Sequence, residues 1–223
     1  MTSSVRMVAG FRTYRRGDEA VTALQAVDID VVGGEFIALT GPSGSGKSTL
    51  LLVLAGWEIL DHGLVEVSTS AGTRAPADLQ WSELAVVPQA LGLIDDLTVA
   101  ENVHLPARLA RRAANQAYGA ESFESLDIEK LRHARANELS LGEQQRVAVA
   151  RALVLQPAVL LADEPSTHQD ADHGRTVFEA LRRAADNGAV VVVASHDPDG
   201  LRFADRVLTM ADGRLVEADR RTG

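Results

Sequence analysis

The chain has 223 residues, enough for one sizeable hydrophobic core or for a main domain carrying a small inserted lobe. Hydrophobic residues make up 46% and charged residues 24%, a composition too apolar for intrinsic disorder. A formal net charge of −9 argues against a general binder of nucleic-acid backbones, and the absence of cysteine removes disulfides and thiolate metal sites.

In chain order, short strands are expected at residues 5–11, 24–32 and, after the turn at Gly33 and Gly34, 35–39. The N-terminus has no apolar core of the signal-peptide kind, so a cytoplasmic location is expected. The longest apolar runs, residues 158–162 and 189–194, are far shorter than the roughly 18 residues a membrane-spanning helix requires.

The third strand runs into "GPSGSGKST" and then into an apolar helical stretch, residues 48–55. Gly41, Gly46, Lys47 and Ser48 satisfy G-x-x-x-x-G-K-[ST] in the strand–loop–helix context that this pattern needs. Lysine is scarce here, Lys47 and Lys130 being the only two among 22 basic residues, so its place inside a glycine loop calls for a chemical reason. Small residues let backbone N–H groups close on phosphate oxygens, and the helix N-terminus adds positive potential. Lys47 would reach the β- and γ-phosphates, and the Ser48 hydroxyl would ligate Mg²⁺.

Residues 89–137 are rich in Ala, Arg, Glu and Leu and read as mainly helical, an inserted lobe of approximately residues 90–140 within a single domain, 1–223. From Leu139 onward, helices (142–156, 176–187, 199–204) alternate with short apolar strands (159–162, 190–194, 206–210), and the last residues read as a turn and a polar tail. The fold class expected is α/β: a P-loop core with a mostly parallel sheet, an N-terminal antiparallel β region and the inserted helical lobe. The strand in "AVLLADEP" ends in Asp163 and Glu164 at the carboxyl edge of that sheet, where open α/β folds bind ligands. Asp163 can hold a metal ion and Glu164 can accept a proton from attacking water.

With "VVPQ", "LSLGEQQR", "LLADEP", Asp170 after "STHQ", and "VASHDP" following the glycine loop in that order, the sequence resembles the ATP-binding subunits of ABC transporters over nearly its whole length. The resemblance implies ATP and Mg²⁺ as ligands, with Gly41, Ser43, Gly44, Ser45, Gly46, Lys47, Ser48 and Thr49 around the phosphates and Tyr14 stacked on adenine, Phe11 being the competitor for that place. It implies Ser48, Gln89 and Asp163 at the metal, and Glu164, His196 and Lys47 in hydrolysis, His196 bonding the γ-phosphate. Ser140, Gly142 and Glu143 would face the ATP of the opposite subunit, so a homo- or heterodimer is implied, peripheral on the inner face of the membrane through a separate transmembrane permease, with no direct nucleic-acid contact. The branch most similar is the lipoprotein-release and macrolide-export type.

Leu141 and Glu143 depart from the family's LSGGQ, and His168 and Gln169 from its small and aliphatic residues before the aspartate. Ser140 and Glu143 also fit an S-x-x-E capping box, which gives the glutamate a local structural role. The expectation is a competent ATPase; the alternatives are a soluble ABC-type ATPase and an ATP-dependent interaction module that does not hydrolyse.

Overall fold

A computed structural model describes residues 2–17, 19–110, 116–167, 169 and 171–220. His168 and Asp170, both named in the sequence reading, lie outside the described residues.

The chain opens with a long antiparallel ribbon, β1 (Ser4–Arg16) and β2 (Glu19–Val32), paired from Ser4 opposite Val32 to Arg16 opposite Glu19. Both strands outrun their expected bounds: the outer end of β1 is polar, and that of β2 carries Val21 exposed, so ladder pairing rather than a buried face holds them there. β3 (Phe36–Thr40) runs through the glycine loop into α1 (Lys47–Leu54). β4 (His62–Thr69) and β5 (Gly72–Arg74) complete a four-stranded sheet in the order β2-β1-β4-β5.

β6 (Leu84–Val87) precedes α2 (Val99–Leu109) and α3 (Gln116–Ser125). Then come α4 (Leu141–Leu153), β7 (Val159–Asp163), α5 (Ala171–Asp186), β8 (Val190–Ala194), β9 (Arg206–Ala211) and β10 (Arg214–Arg220). The second sheet has the order β10-β9-β3-β8-β7-β6, parallel from β9 to β6, with β10 antiparallel at its edge.

Period-two alternation divides the core between the faces of this sheet. Phe36, Ala38, Leu160, Ala162, Val191 and Val193 join α4, α5 and the segment around α2 and α3. Ile37, Leu39, Val159, Leu161, Val190 and Val192 join α1 and the ribbon. With both faces covered, the central strands carry apolar runs, which made them readable by composition.

Two expectations are corrected. The C-terminal residues are not only a turn and a polar tail: β10 folds back on β9 through Asp212 (φ 47°) and Gly213 (φ 76°), a turn whose positive dihedrals suit a hairpin. Residues 199–204 do not form an α-helix but one 3₁₀ turn, Gly200–Phe203, in a connection cut short where Phe203 stacks on Phe178 with ring centroids 6.0 Å apart.

Candidate functional site

The loop between β3 and α1 has a backbone that only glycine fits at two points. Gly41 has φ 132° and a Cβ there would stand 2.1 Å from the carbonyl oxygen of Met210; Gly46 has φ 106° and would meet the carbonyl oxygen of Ala23 at 2.3 Å. Gly46 is also the N-cap of α1 and offers no side-chain cap, so among the described residues the first amides of that helix have no intrahelical or side-chain acceptor. Lys47 arches over the loop, its Nζ donating to the carbonyls of Gly41 (2.8 Å) and Pro42 (3.0 Å). Ser45 is buried and its Oγ has no hydrogen-bond partner among the described residues. Amides and a hydroxyl without acceptors around a lysine are the donor set of an anion site.

β7 delivers Asp163 and Glu164 beside this loop. Burial raises the Asp163 carboxyl above its ordinary value and the nearby Glu164 charge adds to this, while the Ser48 hydroxyl that bonds it and the Lys47 ammonium oppose the shift. Glu164 adopts φ 51°, unusual for a residue with a Cβ, and its N–H donates to the carbonyl of Ala194 at 2.8 Å. His196, just past β8, places Nδ1 3.0 Å from Oε1 and 2.9 Å from Oε2 of Glu164. Gln89 is exposed two residues beyond β6, the strand that pairs with β7, so it stands at the same sheet edge.

Among the described residues no group of three or more His, Cys, Asp or Glu is gathered around a common point. The oxygens of Ser48 and Asp163, bonded to each other, are nonetheless of the kind taken by a small hard cation such as Mg²⁺, which uses one or two carboxylates and completes its shell with water and substrate phosphate.

Ser140, Gly142 and Glu143 form the start of α4. The Ser140 N–H and Oγ donate to Oε2 of Glu143 at 2.8 and 2.7 Å, and the Glu143 N–H returns a bond to the Ser140 Oγ at 3.3 Å. The capping box read from S-x-x-E is therefore formed. These bonds, the Ser140 hydroxyl first, hold the Glu143 carboxyl below its ordinary value. The Leu141 side chain is exposed.

Tyr14 pairs with Val21 in the ribbon, two residues before the Ala23 carbonyl that abuts Gly46. The Arg12 guanidinium lies 4.8 Å from the centre of the Tyr14 ring and is anchored by Glu58 (2.7 Å) and Asp61 (3.0 Å). Phe11 sits opposite His62 on the other side of β1 pairing and is partly exposed.

Four polar links had no counterpart in the sequence reading. Gln145 Nε2 donates to the Glu164 carbonyl at 2.6 Å; Gln169 donates to the Gly142 carbonyl at 2.7 Å; Arg146 donates to Gln169 Oε1 at 3.0 Å; Arg151 donates to the carbonyls of Leu91 (2.5 Å) and Gly92 (2.7 Å). Their partners are 19 to 60 residues apart, so no local pattern announces them.

The chain matches the family model described as "ABC transporter" over residues 24–167. It is 40% identical over 224 residues to the lipoprotein-releasing system ATP-binding protein LolD of Granulibacter bethesdensis, covering 96% of this chain and 97% of that protein. It is 37% identical over 204 residues to an uncharacterized ABC transporter ATP-binding protein of Mycobacterium tuberculosis, covering 88% of this chain and 62% of the relative's length. A dimeric ATP-binding cassette of Methanocaldococcus jannaschii, solved in a post-hydrolysis state bound to ADP and Pi, superimposes with a TM-score of 0.87 at 32% identity, covering 98% of this chain and 99% of that one.

Proposed function

The chain belongs to the ABC transporter family, and on that premise we propose that it binds and hydrolyses ATP as a subunit that dimerises around two nucleotides and drives a separate transmembrane permease. The observation that carries this reading is the Glu164 carboxylate, held against His196 just past the end of β7 and adjacent to Asp163, which Ser48 bonds and Lys47 faces.

The loop amides and Lys47 bind the β- and γ-phosphates, Lys47 exchanging its two carbonyl acceptors for phosphate oxygens. Tyr14 stacks on the adenine. Ser48 and Asp163, with Gln89, would hold Mg²⁺, which when bound draws charge from the phosphate oxygens as the terminal phosphoryl group leaves. Glu164 accepts a proton from the attacking water, whose oxygen forms a bond to the γ-phosphorus as the bond to the β–γ bridging oxygen breaks. His196 holds Glu164 in place and turns a ring nitrogen to the γ-phosphate. Ser140 and Gly142 meet the ATP of the second subunit, and residues 90–140 act as a helical lobe that conveys closure and reopening to the permease. Loss of the γ-phosphate removes the group bridging the two subunits, which supplies the differential affinity that reopens the dimer.

No helix among the described residues is long and apolar enough to cross a membrane. The test is the Glu164→Gln variant. Phosphate release should fall by about 100- to 10,000-fold and an ATP-bound dimer should accumulate; unchanged turnover overturns the assignment. Wild-type protein that binds ATP but releases no phosphate would instead favour the non-hydrolysing module. If the trapped dimer, extracted from native membranes with Mg-ATP, brings down no polytopic membrane protein, the soluble ABC-type ATPase takes its place.

A further inference from the structure

Gln169 occupies the stretch leaving Glu164 and reaches back to the first turn of α4. Its Nε2 donates to the Gly142 carbonyl at 2.7 Å while its Oε1 accepts from Nη1 of Arg146 at 3.0 Å. The two partners require opposite groups, a donor for the carbonyl and an acceptor for the guanidinium, and a primary amide supplies both. Arg146 is 6% exposed, so the bond also satisfies a cation with little access to water.

The Gly142 carbonyl and the Glu143 N–H belong to one rigid peptide unit. Ser140 Oγ accepts from the Glu143 N–H on one side of that unit and Gln169 donates to the Gly142 carbonyl on the other. On the Glu164 side, the Thr167 N–H donates to the Glu164 carbonyl at 3.3 Å, the Gln169 N–H donates to the Ser166 carbonyl at 3.1 Å, and Gln145 of α4 donates to the Glu164 carbonyl at 2.6 Å. A short run of hydrogen bonds thus joins the carboxylate-bearing turn to the turn containing Ser140 and Gly142.

We propose that Gln169 is a positioning residue that fixes the Ser140–Gly142 turn to the chain leaving Glu164, so that presenting this turn to the nucleotide of a second copy depends on the state of the subunit's own Glu164 segment. The proposal rests on the dimeric ATPase reading above. A leucine-like residue here would fill space and leave both Gly142 and Arg146 without this link.

The test places Gln169→Glu in the Glu164→Gln background, with Gln169→Met alongside. The glutamate keeps an acceptor for Arg146 but has no proton for the Gly142 carbonyl, whereas methionine keeps the length and removes both bonds. Three quantities are read: the thermal midpoint, the affinity for ADP, and the ATP concentration that half-converts the protein to dimer. With Gln169→Glu, ADP affinity should match the parent and the thermal midpoint should fall by no more than the loss of one hydrogen bond explains, while the ATP needed for dimerisation should rise about 3- to 10-fold, at most the worth of one neutral hydrogen bond. Gln169→Met should raise it at least as much, with a lower thermal midpoint from the orphaned Arg146. Dimerisation unchanged in Gln169→Glu overturns the proposal, as does an ADP affinity that falls in parallel, the mark of a general structural defect. A parent that binds ATP and never dimerises overturns the dimeric reading itself, and this proposal with it.

Discussion

Two helix starts in this protein contain glycine and hydroxyl residues, yet they are finished in opposite ways. α1 begins at Gly46, with φ 106° and no side-chain cap. α4 begins at Ser140, whose capping box is complete and whose next turn is held by Gln169. The first start leaves amides without a protein acceptor among the described residues; at the second, Ser140 and Glu143 are bonded to each other and the Gly142 carbonyl accepts from Gln169. On the function proposed above, a ligand would complete the local structure of the loop, whereas the α4 turn is already held by its own side chains before it meets another molecule.

The sharpest way to break this contrast is to put a methyl group on the loop. Gly41→Ala combines a positive φ with a Cβ 2.1 Å from the Met210 carbonyl oxygen, and should cost about 2–5 kcal/mol of folding free energy with loss of nucleotide binding. Gly44→Ala is its control, since φ is +78° and no atom of the described residues lies within 4 Å of the added Cβ; it should cost only about 1–2 kcal/mol. Denaturant unfolding of the pair checks this, and equal costs would mean that the close approach to β9 is not what selects glycine at position 41.

A smaller effect carries a change of sign. Ser45 Oγ is buried without a partner among the described residues, so Ser45→Ala should leave the nucleotide-free protein as stable as before or about 1 kcal/mol more stable. The same change should weaken ATP binding about 3- to 10-fold, because the hydroxyl would lose the phosphate oxygen that satisfies it. Calorimetric titration with ATP separates the two. Unaltered affinity would place the hydroxyl outside the phosphate site.

What the sequence made readable was whatever chemistry forces into neighbouring positions. The phosphate loop, the Asp163–Glu164 strand end and the Ser140–Glu143 box all lie within a few residues, and a backbone cradle or an N-cap accepts few residue types. The central parallel strands were readable because burial on both faces leaves nothing but apolar residues. β10 went unread although Asp212-Gly213 is a strong hairpin signal, because the strand after it is polar and lies at a sheet edge. The His196–Glu164 contact joins residues 32 apart, and Arg146–Gln169–Gly142 spans up to 27. Such links are decided by which strands neighbour each other, a property of topology that no window of sequence contains.

The least expected effect concerns Glu143, the acid standing where the family's pattern has glutamine. Ser140→Ala or Glu143→Ala should cost about 1 kcal/mol, the usual worth of an N-cap. Glu143→Gln is more informative, since its side-chain oxygen can still accept from the Ser140 N–H and Oγ, and at neutral pH it should lie within about 0.5 kcal/mol of the original. The difference should appear in acid. Because the folded protein holds this carboxyl below its ordinary value of 4.5, the unfolded chain takes up the proton first, so the stabilisation is complete above that value. It is lost as pH falls below 4.5 through the lowered folded value, so the wild type should lose stability relative to Glu143→Gln over that window. Paired unfolding curves from neutrality down to about pH 3 measure this. A difference that does not vary with pH would mean that Ser140 bonds the neutral and ionised carboxyl equally well, leaving the acid at position 143 as a charge that the capping box does nothing to settle.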